Sequence, residues 1–405
     1  MNQGTGDQPN LWTFTTVDTF EVPAGVPTVR TIRRKVKDLV SAFRGQSRTT
    51  DSPVEDGGDL MSLSGEALAH ALPVIDWAAA AGRLDDELRP WLEADRPSKP
   101  VIFFVAPPFA GRDEILAAWV AQAGFPVVHP PDPEDVRRGT SNWIRSWPTG
   151  GPWVLPHLEQ CFIREASGLD VARDLLARLL SGELGQGVVG CDSWAWQFLR
   201  HVWPARPSYT MTLQAFSSDT LRELFTRSIG RSEDRQSQFR TSTDGRMLLP
   251  DDSVAGERDS VAPYWKQLAA YCRGNLGVAA AVWSLSLRRF PEKDIDDQDE
   301  SIAGGQRRRT VWVTPVHSVE MPTIPSEGGD TALFALHALL LHNGLSADAL
   351  ARLLPVERAI AIEVLLFLRE SDLVEKTDER WRVSAFGYPV VRDALKANDF
   401  LCDPF

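Results

Sequence analysis

The chain has 405 residues, 43% of them hydrophobic and 24% charged, and its 43 Lys and Arg against 55 Asp and Glu give a formal net charge of -12. That length predicts a globular protein of about two or three domains, and the acidity argues against a general nucleic-acid coat. No apolar run approaches the roughly 18 residues of a membrane span. The polar start, Met1 to Trp12, lacks a secretory pattern, which makes the cytoplasm the expected compartment. Cys161, Cys191, Cys272 and Cys402 are too scattered for a zinc knuckle or a disulfide framework and are expected to be buried and reduced.

In chain order, the first candidate element is basic. Arg30, Arg33, Arg34, Lys35, Lys37 and Arg44 interleave with Ile32, Val36, Leu39, Val40 and Phe43 at helical spacing. That pattern suits a peripheral membrane-surface or partner-docking helix, or a solvated helix packed on the protein's own body. Residues 45–60 are polar and rich in Ser, Asp and Gly, so residues 1–70 read as an arm and linker. From Pro73 to Leu92 the apolar spacing is helical, with Trp77, Leu84, Leu88 and Trp91 as candidates for its buried face.

Between Lys99 and Phe216 short apolar runs alternate with helical segments. Strands are predicted at 101–105, 126–128, 153–155, 187–191 and 209–216, with helices at 113–123 and 170–180 among the connections. Alternation of this kind predicts an α/β, doubly wound, mostly parallel sheet over 71–225, and such sheets bind ligands beyond the carboxyl ends of their strands. Gly185 to Gly190 spells G-x-G-x-x-G but leads into a strand instead of following one, and reads as a turn. Six tryptophans, Trp143, Trp147, Trp153, Trp194, Trp196 and Trp203, read as core or interface ahead of a ligand cleft. Residues 231–258 and 291–309 read as loops or mobile insertions in a helical lid spanning 226–325.

Three helices, Thr331 to His342, Ser346 to Leu354 and Pro355 to Arg369, precede strand-like stretches at 373–376 and 381–384. Three helices and a hairpin predict a winged-helix-like domain over 326–405. Its third helix carries Glu357, Arg358, Glu363, Arg369 and Glu370 and lacks the basic face a DNA reader needs, so nucleic acid is not the expected partner.

The candidate chemistry lies after the first strand of the sheet. Ala106-Pro107-Pro108-Phe109-Ala110-Gly111-Arg112-Asp113 runs directly into a helix, the context in which a G-x-x-x-x-G-K-[ST] loop cradles phosphates. Here the chain resembles the P-loop NTPases, especially AAA+ and STAND ATPases, over roughly residues 72–289. Gly111 keeps the second glycine, Ala106 replaces the first, Arg112 stands for the lysine and Asp113 for the Ser or Thr. The segment Gly150 to Glu159 is similar to a Walker B strand with Glu159 as its second acid, while Pro156, His157 and Leu158 leave out the first. Asp192 or Ser193 resembles a sensor residue, and Tyr271 to Ala279 is similar to a glycine-rich lid motif that includes Asn275.

The resemblance implies a nucleotide site in which Gly111, Arg112, Asp113, Asp192 and Asn275 bind ATP or ADP and Glu159 supports catalysis. By the same resemblance magnesium would accompany the nucleotide, with Asp113 beside it, although the replacement at 113 and the missing aspartate speak against it. A protein partner or self-assembly is also implied. The expected function is an ATPase-like regulatory or interaction protein with a degenerate site and weak or absent hydrolysis. The alternatives are an active nucleotide-dependent switch of the STAND or AAA+ kind and a winged-helix DNA-binding regulator.

Overall fold

The computed structural model describes residues 11–23, 60–63, 65–95, 97–140, 142–165, 167–203, 209–229, 237–249, 263–289, 301–303, 306–325 and 329–405. The basic stretch 30–44 and residues 45–59 of the expected linker lie outside them. Contacts group the chain into two compact units. One is formed by Met1–Glu21, Asp76–Gln214 and Met321–Phe405, the other by Val22–Ile75 and Ala215–Glu320.

In chain order the strands and helices are β1 (Phe14–Thr16), β2 (Met61–Ser62), α1 (Gly65–Ala71), α2 (Trp77–Leu92), β3 (Val101–Ala106), α3 (Arg112–Ala123), α4 (Pro133–Arg138) and β4 (Trp153–Leu155). They continue with α5 (Asp170–Ser181), β5 (Gly187–Asp192), α6 (Ser193–Val202), β6 (Thr210–Leu213), α7 (Ser218–Ile229), β7 (Ser237–Thr241), α8 (Pro263–Cys272) and α9 (Leu276–Ser286). The last third holds β8 (Leu287–Arg289), β9 (Ser301–Ala303), β10 (Gln306–Val313), α10 (Gly329–Leu341), α11 (Ala347–Leu353), α12 (Arg358–Glu370), β11 (Val374–Thr377), β12 (Arg380–Val383) and α13 (Tyr388–Ala397).

The first unit is a mixed α/β body around a five-stranded sheet of order β1-β6-β3-β5-β4. Strands β6, β3, β5 and β4 run parallel, and β1 joins the edge antiparallel to β6. All six residues of β3, VIFFVA, are buried, as expected of a central parallel strand covered on both faces. Helix α2 starts at Asp76, whose carboxylate accepts the Ala79 N–H at 3.0 Å, and it buries Leu84 and Leu88. It is tied to α3 by the Trp119 indole N–H, which donates to Asp85 at 3.0 Å.

Two of the expected strands are shorter than predicted. Residues 126–128 form only a single parallel bridge, Val127 to Val154, made by the Val128 N–H donating to the Val154 carbonyl at 2.8 Å and the Val154 N–H to the Pro126 carbonyl at 3.0 Å. The run 209–216 forms a strand only over Thr210–Leu213, and Ser217, not Ser218 or Asp219, caps α7 by accepting the Thr220 N–H at 3.2 Å.

The C-terminal stretch belongs to this same unit. Helix α10 is apolar on nearly every side and is buried from Ala335 to Leu341, the signature of a helix enclosed by neighbours. Leu341 and Phe405 share one core with Phe103, Trp153, Leu155, Val189 and Trp196. Helices α10, α11 and α12 are followed by the antiparallel hairpin β11–β12 and by α13.

The second unit carries a sheet of order β2-β8-β10-β7, with β9 paired to β10. Strands β7 and β10 run parallel in register from Ser237–Arg309 to Thr241–Val313. The stretches 231–258 and 291–309, read from sequence as loops, therefore contribute β7 and the start of β10, and the segment 226–325 is not purely helical. Phe239, Val311, Trp312 and Val313 are buried on this sheet, apolar runs too short and too flanked by arginine to stand out in the sequence. Trp265 and Trp283 stack at 5.6 Å inside the helices of this unit.

Candidate functional site

Three loops meet beyond the carboxyl ends of β3, β4 and β5, where an open α/β sheet presents its ligand site. The first, Pro107 to Gly111, closes with the Ala110 N–H donating to the Pro107 carbonyl at 3.2 Å. Phe109 takes a left-handed conformation (φ 67°), and so does Gly111 (φ 91°) immediately before α3. A Cβ at Gly111 would lie 2.4 Å from the Trp77 ring, so this turn requires glycine for both its angle and its space.

Arg112 opens α3 with its side chain only 5% exposed. Its guanidinium meets Glu159 twice, Nη2 at 2.7 Å from Oε1 and Nη1 at 3.3 Å from Oε2, a two-pronged charge-assisted pair. The same guanidinium donates through Nε to Asp113 at 2.8 Å. Glu159 sits on a short turn after β4 and has no exposed surface. It also accepts the Asp192 backbone N–H at 3.1 Å and the Asn343 amide at 3.4 Å, and it lies 3.1 Å from His157 Nδ1. Burial alone would raise the Glu159 pKa, but Arg112 and His157 outweigh it and hold the carboxyl at about 2.

Asp192 ends β5 and is 2% exposed. Its carboxylate accepts the Trp194 N–H at 3.0 Å and caps α6. Burial pushes its pKa well above the usual carboxylate range against the pull of Arg112, with Glu159 adding to the rise. Ser193 donates to Asp403, which also faces Arg392 at 3.3 Å and the Tyr388 hydroxyl at 3.4 Å.

Four of the sequence-derived candidates, Arg112, Asp113, Glu159 and Asp192, thus lie together with Gly111. Asn275 belongs to the second unit, where its side chain accepts the Val278 N–H at 3.2 Å and caps α9. Sequence reading did not single out Asn343, Glu375, Arg382 or Tyr388. The Asn343-Gly344 pair was legible as a turn, but only the packing of the C-terminal stretch puts it on Glu159. Asn343, Glu375 and Arg382 complete a cavity of about 140 Å³ whose walls are Pro107, Phe109, Arg112 and Asp113 on one side and Asn343, Gly344, Glu375 and Arg382 on the other. Arg380 steadies the far wall by donating to the Gly344 carbonyl at 2.6 Å.

No family model and no curated sequence matches the chain. Among solved structures, it is similar to the Thermotoga maritima RuvB Holliday junction branch migration motor at 14% identity, covering 79% of this chain and 94% of that one with a TM-score of 0.32. A Walker-type ATPase of Pyrococcus abyssi matches at 10% identity over 80% of this chain and 96% of the other, with a TM-score of 0.31. The Aeropyrum pernix ORC2 protein matches at 14% identity over 86% and 98%, with a TM-score of 0.30. Among the described residues no helix is long and apolar enough to cross a membrane.

Proposed function

We propose that the chain is an ATPase-like regulatory or interaction protein whose phosphate-loop site has become a structural lock and neither binds nor hydrolyses nucleotide productively. The observation that carries this reading is the buried two-pronged pair of Arg112 with Glu159. In an active site of this layout the basic residue after Gly111 reaches phosphate and the acid after the neighbouring strand orients water. Here each is occupied by the other, and Glu159 has donors on both oxygens and no surface open to water.

The remaining groups do not fit a magnesium nucleotide. Pro107 and Pro108 remove two N–H donors from the cradle, and Asp113, Glu114 and Glu375 add negative charge where polyphosphate would lie. The cavity of about 140 Å³ is below the roughly 300–1,000 Å³ of ordinary ligand pockets. Asp192 and Asn275, read as nucleotide contacts by resemblance, act in this proposal as helix caps.

Isothermal calorimetry with ATP, ADP and GTP, with and without magnesium, tests the reading. No saturable heat at millimolar nucleotide is expected. Saturable binding that Arg112→Ala abolishes, or hydrolysis above that of a Glu159→Gln variant, would overturn it in favour of an active switch.

A further inference from the structure

Helix α12 is apolar on two opposite sides. Ala361, Val364, Leu365 and Leu368 face inward and are buried. Ile360, Leu366 and Phe367 point the other way and are 43%, 38% and 42% exposed, three of the seven large hydrophobic side chains left exposed among the described residues. At about 100° per residue, Ile360, Glu363, Leu366, Phe367 and Glu370 fall in one outward arc of about 120°. A helix on a protein surface normally turns a polar face to water, and one that is apolar on both sides is normally covered.

The charges of this arc are one-signed. Glu363 and Glu370 occupy its centre and have no ion-pair partner among the described residues. The arginines of the helix lie off to one edge and are engaged: Arg358 pairs with Asp348, and Arg369 lies over the Trp381 ring at 6.0 Å. The exposed face therefore offers hydrophobic contact around two free carboxylates. That combination disfavours nucleic acid and anionic lipid, and it complements a helix with lysine or arginine beside an apolar stripe.

We infer that the outward face of α12 is a docking surface for a basic amphipathic helix of a partner protein, with Ile360, Leu366 and Phe367 as the apolar contacts and Glu363 and Glu370 reading the positive charge. In helix recognition of this kind the bound helix supplies apolar anchors at i, i+3, i+4 and i+7, and Ile360, Leu366 and Phe367 are the surface those anchors would meet. The inference goes beyond the locked site, because α12 would present the same face whether or not nucleotide binds.

The test uses the full-length protein and an amidated, fluorescently labelled leucine–lysine peptide of about 18 residues, five helical turns, with leucines at i, i+3, i+4 and i+7. Saturable binding by anisotropy is expected, absent for a scrambled peptide of the same composition. Phe367→Ser and the pair Glu363→Lys/Glu370→Lys should each weaken it at least about tenfold. Circular dichroism and thermal melting check that the variants keep the fold; the charge-reversal pair keeps the test decisive if Phe367→Ser does not. Absence of binding, or binding equal in the variants, overturns the inference. So does concentration-dependent self-association that is lost in Phe367→Ser while the peptide does not bind, which would give the face to a second copy of the chain.

Discussion

Arg112 and Glu159 illustrate how a side chain's meaning depends on what it faces. Taken alone, an arginine at the start of a helix after a glycine is an anion-binding residue. Facing a fully buried carboxylate at 2.7 Å, it becomes half of an internal ion pair. Removing one member strands the other's charge in the interior, so Arg112→Ala is expected to cost about 3–5 kcal/mol in urea denaturation. The double change Arg112→Met/Glu159→Leu should cost clearly less than the sum of the single changes, since neither charge is then left behind.

Two buried histidines set the acid response. Burial, with Arg164 adding to it, lowers the pKa of His337 to about 4 and of His342 to about 3, against an ordinary 6.5. A group whose folded pKa is depressed gives its full stability above the unfolded value and loses it as pH falls. Their contribution is complete above about pH 6.5 and drains away towards pH 4 and 3. That of Glu159 is complete above about 4.5 and is lost on the way to about 2. Stability should therefore begin to fall near pH 6.5. In His342→Gln, denaturation measured from pH 7 to pH 4 should show a shallower decline, by up to about 1.4 kcal/mol per pH unit.

At the scale of elements, backbone angle and space govern the turns. Gly274 has φ +71°, and a Cβ there would lie 2.6 Å from the Phe216 carbonyl oxygen and 2.7 Å from its nitrogen. Both are backbone atoms, and the Phe216 N–H already donates to the Gly274 carbonyl at 3.0 Å. Gly274→Ala should therefore cost more than the roughly 1 kcal/mol of an ordinary strained substitution, whereas Asn275→Ala next to it should lose about 1 kcal/mol of helix cap. Thermal melting of the two variants side by side would expose the difference, and equal losses would contradict it.

The elements legible in the sequence were those with their own local pattern. The buried runs at 101–105, 153–155 and 187–191 and the C-terminal helices announce themselves through composition and period. Strand β1, only Phe14 to Thr16, does not, because it exists only by pairing with Leu213, Thr212 and Met211. Strands β7 and β10 were hidden for the same reason. The candidate site was half legible: the loop and the acid follow from their places after strands, whereas Asn343 reaches Glu159 across 184 residues of sequence, and no local spacing records such a contact.

At the scale of the molecule, the first unit is assembled from three separate stretches of chain. Its last stretch is anchored by Asp403, which is buried with Ser193, Tyr388 and Arg392 around it. Asp403→Ala leaves the Arg392 guanidinium buried without its carboxylate and should destabilise this unit by about 3–5 kcal/mol. Hydrogen exchange should then report loss of protection in α6 and α13 together; loss in α13 alone would mean that the tail does not brace the sheet.

Phe405 rests against Phe20 at 4.7 Å, and Ser193 meets Asp403 across 210 residues. A ribosome adding about 5–20 residues per second needs about 10–40 s to make the chain between those two partners. During that interval the apolar ends of β3, β4 and β5 have emerged while Leu341 and Phe405, which complete their core, have not yet been translated. The nascent chain therefore waits with part of its sheet uncovered, and its yield in a cell should depend on chaperones that shelter it until Phe405 has been made.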